Sequence, residues 1–289
     1  NMNLFDFYNV KNKFNFKRIK YFKKFPLSFN YYFFSIISIF QSFKFKPEIY
    51  ITRNFFSCFL LVLLKKNVII ELHHDIETES RIVKFLVKKI KFLKSKYIKK
   101  IIAITHGVKN EFLENDYIID KNILISPSGS SIEENFKFRF NKKKLNIGYF
   151  GSLYKSRGFD LIKNLSKIDN KNNYFVYGDL SKFKKNKLIS KNLIINDYVA
   201  YKDVSKILSK MDILLMPYVS SITAAGDVSD ITKYTSPLKL FDYLSVGKVI
   251  FCSDFKVLRE ILKDKKNVIF IKNFTNAYSW KMEIEKLIN

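Results

Sequence analysis

The 289-residue chain is long enough for one large domain or two modest ones, and its 47% apolar residues can fill a core in either case. A formal net charge of +26 suits nucleic acid, anionic lipid or phosphorylated substrates, although a chain this rich in Lys, Asn, Ile, Phe and Tyr also has the composition of an AT-rich genome. Cys58 and Cys252 are far apart, which fits a reducing cytoplasm and argues against a cysteine-built metal site, and no run reaches the roughly 18 apolar residues of a membrane span.

Residues 1–100 hold 21 Lys or Arg against 6 Asp or Glu, so the basic excess is concentrated early. The start lacks the layout of a signal peptide. Phe33–Phe40 and Phe55–Leu64 are apolar runs expected as buried helices. Strands are predicted at Glu48–Thr52, Asn67–Leu72, Lys100–Thr105 and Asn122–Ser126, with helices near 54–65, 79–98 and 107–116. Residues 81–100 carry nine Lys or Arg and no acid, and Ile82, Leu86, Ile90, Leu93 and Tyr97 recur at helical spacing. That pattern predicts an amphipathic helix, either lying on an anionic membrane surface or facing the core with a lysine-rich outer side.

Around Pro127–Asn141 the pattern lapses into Ser, Gly, Asn and charge, marking a linker between domains 1–130 and 131–289. Six short apolar strands follow, at Leu145–Phe150, Tyr174–Tyr177, Leu193–Ile195, Ile213–Met216, Val249–Cys252 and Val268–Ile271. Strands alternating with helices predict an α/β chain whose second half is a doubly wound, Rossmann-like parallel sheet, with its ligand at the carboxyl ends of the strands. The Val219–Thr235 loop is longer than ordinary connections and leads into a helix start.

That start is the most informative stretch. Ser236 is a good N-cap and Pro237 a good first helical residue, so free N–H groups and the positive end of the helix dipole would face a phosphate. Asp242, six residues on, can accept hydrogen bonds from a sugar hydroxyl. A phosphate site beside such a carboxylate suggests a nucleotide or nucleotide-sugar. Gly148 and Gly151 flank a strand end and let the backbone approach a ligand, and Arg157 can grip a phosphate bidentately; a plain strand-to-helix turn with solvated Lys155 and Arg157 explains the same residues. His73 and His74 end a predicted strand, and three histidines without metal-ligand spacing do not suggest zinc.

Ser236-Pro237-Leu238-Lys239-Leu240-Phe241-Asp242-Tyr243, followed by Gly247-Lys248-Val249-Ile250 and Ser253-Asp254, resembles the donor-site signature of retaining GT-B glycosyltransferases, the "glycosyl transferases group 1" family or family 4. Gly148-Tyr149-Phe150-Gly151-Ser152 with Arg157-Gly158, Asp212–Tyr218, Glu71-Leu72-His73 and Ile101–Thr105 resemble further family segments in the same order. The resemblance implies two Rossmann-like domains facing a cleft, the first one abbreviated here, because only about 45 residues precede the matched region and no glycine precedes Gly107.

It also implies transfer of a sugar from a UDP- or GDP-linked donor to a hydroxyl acceptor with retention, without a metal or other cofactor. Expected acceptors are glycans or lipid-linked saccharides of cell-surface polysaccharide or lipopolysaccharide synthesis, met in the cytoplasm or at the inner face of its membrane. By that resemblance His73, Arg157 and Lys239 are catalytic. Gly151, Ser152, Arg157, Tyr234, Ser236, Pro237, Leu238, Lys239 and Asp242 hold the donor, with Asp242 on the ribose. Two departures stand out: Ser152 replaces a basic residue, with Lys155 a candidate substitute, and Tyr234 replaces a glutamate that touches the donor sugar. An inactive or partner-dependent relative that binds sugar nucleotide or glycan is the alternative those departures suggest. A nucleic-acid-binding protein fits the charge alone, since no RRM, KH, helix-turn-helix or zinc-finger pattern is present.

Overall fold

The computed structural model describes all residues except 1–3, 9, 12, 21, 133–143, 182–189, 224–229 and 289. The expected linker and the loop before Ser236 therefore lie partly outside the described residues. The chain forms two compact units: an N-terminal unit of residues 14–127 with 233–235, and a C-terminal unit of residues 1–13, 128–232 and 236–289. A single turn, α1 (Leu4–Phe7), belongs to the second.

The N-terminal unit runs through α2 (Leu27–Ser42), β1 (Tyr50–Thr52), α3 (Phe55–Leu63), β2 (Val68–Leu72), α4 (Arg81–Phe85), β3 (Ile98–Ala103), α5 (His106–Glu114) and β4 (Ile123–Ile125). Its four strands are parallel in the order β1-β2-β3-β4. Val68, Ile70 and Leu72 alternate into the core, as a strand of period two requires. Polar residues set the helix starts: Asn54 Oδ1 accepts from Ser57 N at 2.8 Å, and Thr105 Oγ1 accepts from Val108 N at 3.2 Å.

Two expectations are corrected here. Only one side of α2 is buried, at Asn30, Ser35 and Ile39, while Phe34, Ile36 and Phe40 are exposed. The single helix over 79–98 does not form. Helix α4 passes into a π-helical turn at Leu86–Ile90, Lys91 turns the chain at φ 51°, and Phe92–Lys94 is one 3₁₀ turn. The cause is packing: Val83, Leu86, Val87, Phe92 and Leu93 are buried, whereas Ile82 and Ile90 are 54% and 49% exposed. Val83, Leu86 and Val87 share one helical face, but Phe92 would fall on the opposite side of a straight α-helix, so its burial requires the break. The basic residues are also partly neutralised: Lys84 and Lys88 meet Glu77, and Lys91 and Lys94 meet Asp116.

The C-terminal unit continues with β5 (Asn146–Phe150), α6 (Phe159–Ile168), β6 (Asn173–Tyr177), β7 (Leu193–Asn196), α7 (Tyr201–Leu208), β8 (Ile213–Met216), α8 (Leu238–Ser245), β9 (Val249–Ser253), β10 (Ile269–Ile271) and α9 (Ala277–Ile288). The six strands are parallel in the order β10-β9-β8-β5-β6-β7. This is the doubly wound Rossmann order, and the chain changes direction across the sheet between β5 and β8. Helices cover both faces, so all four residues of β8 are buried. One core gathers Leu214, Met216, Leu240 and Tyr243; the other gathers Ile213, Leu215, Leu165 and Trp280. Among the described residues, no helix is long and apolar enough to cross a membrane.

Candidate functional site

The carboxyl ends of β5 and β8 lie side by side at the switch point, where an open α/β sheet binds its ligand. Gly151 follows β5 with φ 147°, and a side chain there would come within 3.5 Å of Lys239 Nζ. Gly158 has φ 77°, and a Cβ on it would stand 1.6 Å from the carbonyl oxygen of Pro217, just beyond β8. The loops after the two strands are thus locked together by a position that only glycine fills.

Arg157, in a 3₁₀ turn after β5, donates to the Thr223 carbonyl oxygen and lays its guanidinium 5.3 Å from the ring centre of Tyr218. Lys239, in the first turn of α8, puts Nζ 4.4 Å from the Tyr149 ring centre and 5.2 Å from that of Tyr218. Two cations therefore share one aromatic wall. Burial, and then the charge of Arg157, push the Lys239 ammonium down to about 7. Among the described residues no acid pairs with either side chain. Tyr218 is fully buried beside the Arg157 guanidinium, while Tyr149 Oη donates to the Ser152 carbonyl oxygen at 2.7 Å. The arrangement is a concentrated positive potential that a diphosphate would satisfy.

Helix α8 begins one residue later than expected. Pro237 is its cap residue and Leu238 its first helical residue, with no side-chain cap. Ser236 Oγ does not turn back on the helix, because it accepts from Ser128 N at 3.0 Å; Ser128 Oγ donates in turn to Ser236 O at 3.3 Å. The first amides of α8 are therefore left without a side-chain acceptor. Asp242, one turn beyond Lys239, accepts at Oδ1 from Ser130 Oγ at 2.6 Å and from Tyr201 Oη at 2.9 Å.

The structure brings together Gly151, Ser152, Arg157, Ser236, Pro237, Leu238, Lys239 and Asp242 in the C-terminal unit. It does not bring Ser152 into a charged role, and Lys155 is exposed. Tyr234 belongs to the N-terminal unit: its Oη donates to Glu111 Oε2 at 3.2 Å and its carbonyl oxygen accepts from Thr105 Oγ1 at 3.4 Å. His73 is also in that unit, just past β2, with Nε2 2.8 Å from Glu71 Oε1. Burial, helped by Arg53, lowers its pKa despite the Glu71 contact, so it is neutral at neutral pH. His74 turns away, with Nδ1 2.6 Å from the Asp75 carbonyl oxygen. Sequence reasoning missed Tyr149, Tyr218, Ser130 and Tyr201 as site residues. The two tyrosines stand inside quoted motifs and carried a signal, whereas Ser130 and Tyr201 are 112 and 41 residues from Asp242 and carried none.

Comparison with known proteins gives the family and the fold. Residues 130–289 match the family model described as glycosyl transferases group 1. No curated protein sequence matches the chain. Among solved structures, a glycosyltransferase from Rickettsia africae is similar with a TM-score of 0.67 at 14% identity, over 93% of this chain and 73% of that one. The lipopolysaccharide outer core galactosyltransferase WaaB gives 0.62 at 16%, over 92% and 74%. HepE of Anabaena, in complex with UDP-glucose, gives 0.59 at 9%, over 88% and 72%. At these identities the likeness is one of fold, the α/β GT-B architecture with parallel sheets.

Proposed function

Because the chain belongs to the glycosyl transferases group 1 family, we propose that it is a retaining, family 4 type glycosyltransferase that moves a sugar from a UDP- or GDP-linked donor to a hydroxyl acceptor. The convergence of Arg157 and Lys239 on the Tyr218 ring at the sheet's switch point carries the proposal. The UDP-glucose complex of HepE supports the donor class.

In this reading the donor diphosphate lies against Arg157, Lys239 and the first amides of α8. Positive potential held in place before reaction stabilises the charge that develops as the leaving group departs. The bond from the anomeric carbon to the diphosphate breaks on the face where the acceptor oxygen bonds. The acceptor's proton passes to the departing phosphate oxygen, leaving a nucleoside diphosphate and a glycoside of retained configuration. Asp242 binds the ribose. Ser152, Ser236 and Leu238 line the donor through backbone or neutral side-chain groups, and the reaction in this form calls on no metal ion. The acceptor class proposed is a glycan or lipid-linked saccharide of cell-envelope synthesis, met at the cytoplasmic face of a membrane that the basic segment 81–100 approaches.

The test is a thermal-shift panel of UDP, GDP, ADP and CMP on the wild type and Asp242→Ala. A ligand at a hundred times its dissociation constant adds about 2.7 kcal/mol of stability. A shift with UDP or GDP that Asp242→Ala abolishes is the expected result; its sugar nucleotide, incubated with glycan acceptors, should then yield a product of retained configuration by NMR. Absence of any shift would overturn the donor site, and binding without turnover would overturn the activity.

A further inference from the structure

We infer that Ser130 and Tyr201 are positioning residues for Asp242, and that they make the site select a ribonucleoside diphosphate over one lacking the ribose hydroxyls. The inference rests on the donor-site reading above.

Three separate elements converge on one carboxylate. Ser130 comes from the segment that follows β4, Tyr201 is the first residue of α7, and Asp242 is on α8. Both hydroxyls donate to the same oxygen, Oδ1. Among the described residues, no protein donor reaches Oδ2. A carboxylate offers about four acceptor positions, so two donors on one oxygen fix its plane and leave the other oxygen's capacity to a ligand.

The donors are themselves held. Ser130 Oγ accepts from Ile132 N at 3.1 Å, and Tyr201 Oη accepts from Ser131 Oγ at 3.4 Å. Each hydroxyl is thereby assigned as donor toward Asp242, which matches an ionised carboxylate. The same segment is tied to the start of α8 by the paired bonds of Ser128 and Ser236. Asp242 is three residues after Lys239 and shares its side of α8, displaced along the axis by roughly 4.5 Å. A ribose joined to a diphosphate through its 5′ carbon spans that interval. The carboxylate therefore stands where the 2′- and 3′-hydroxyls of a nucleotide held at Lys239 would fall, with its orientation set before the ligand arrives.

The experiment is calorimetric titration of wild type, Tyr201→Phe, Ser130→Ala and Asp242→Ala with UDP, and with GDP and ADP in parallel, each against its 2′,3′-dideoxy counterpart. Tyr201→Phe removes one oxygen and keeps the ring, so the fold is preserved. Expected are a loss of roughly three- to tenfold in affinity for the ribonucleotide in each hydroxyl variant, below the full value of a hydrogen bond to a charged group because the effect is indirect. The dideoxy analogue should bind all four proteins alike, and adding Tyr201→Phe to Asp242→Ala should change nothing further. Unchanged or tighter ribonucleotide binding in both hydroxyl variants would overturn the inference, as would equal weakening for both sugars, the mark of a general structural role. If Asp242→Ala binds ribonucleotides normally while Arg157→Ala does not, the phosphate site stands and the inference falls. Should no nucleotide bind the wild type, the donor site itself falls.

Discussion

Lys239 is a buried cation whose titration is brought down to about 7. Its neighbours are Arg157, the phenols of Tyr149 and Tyr218, and the Cys252 thiol, and burial raises the pKa of all three neutral acids, so they supply no negative charge near pH 7. With the folded-state value at about 7, the unbound protein gives up the Lys239 proton near neutrality, while the unfolded chain keeps it. The penalty of holding that charge is fully present below pH 7 and disappears as pH rises toward the ordinary lysine value, so stability without ligand rises across that interval. A bound diphosphate reverses the balance by restoring the charged form. Nucleoside diphosphate affinity should therefore fall above pH 7, by up to about tenfold per pH unit, with one proton taken up per ligand. Phosphate ionisation, with a pKa near 6, is over by then and adds no slope. Titration in buffers of different ionisation enthalpy measures the proton directly, and Lys239→Met should bind weakly with no slope. An identical slope in that variant would assign the proton elsewhere.

Among the elements, the two loops at the switch point meet at one glycine, beside hydrogen bonds from Val219 N to the Ser156 carbonyl oxygen and from Arg157 to the Thr223 carbonyl oxygen. Gly158 caps α6 from the left-handed region and approaches the Pro217 carbonyl oxygen too closely for any side chain. Gly158→Ala should destabilise the protein by about 3 kcal/mol or more, since it adds both a clash and an unfavourable φ. Urea unfolding reads the loss, and because the loop carries Arg157, nucleotide affinity should fall further than stability alone dictates. A loss under about 1 kcal/mol would show that the two loops part easily. Sequence features near such loops were legible to differing degrees. The Ser-Pro pair announced α8 correctly, but Ser236 had a competing acceptor role toward Ser128, 108 residues away, which no local pattern displays. The break at Lys91 was hidden for a related reason. The 82–86–90–93–97 periodicity put Leu86 and Leu93 in the core, but the core also took the neighbouring Val83, Val87 and Phe92 and left Ile82 and Ile90 exposed.

For the whole molecule, the parallel sheets were legible because strands buried on both faces appear as short apolar runs, and nearly every one lies within two residues of its expected place. The placement of Arg157 and Lys239 was legible because Gly151 and Arg157 follow the end of β5 and Lys239 follows the Ser-Pro start of α8. The Asp242 network was not, because its members meet only through tertiary structure. Charge is the property for which sequence misled most. A count of nine basic residues over 81–100 suggests an unopposed cationic face, yet Glu77 stands between Lys84 and Lys88 and Asp116 between Lys91 and Lys94. Those four lysines hold the Asp116 carboxyl at about 2 and the Glu77 carboxyl below its usual range, so both acids remain ionised at any physiological pH. Exposed ion pairs add little to stability, so removing the acids should leave the fold intact. Long-range attraction to an anionic surface follows the summed field, however, and there the two carboxylates subtract in full. Glu77→Gln with Asp116→Asn should therefore strengthen sedimentation with anionic vesicles several-fold, leave neutral vesicles unbound, and lose its advantage at high salt as screening lengths shrink. Equal vesicle binding by the wild type and the double variant would remove segment 81–100 from any membrane-facing surface.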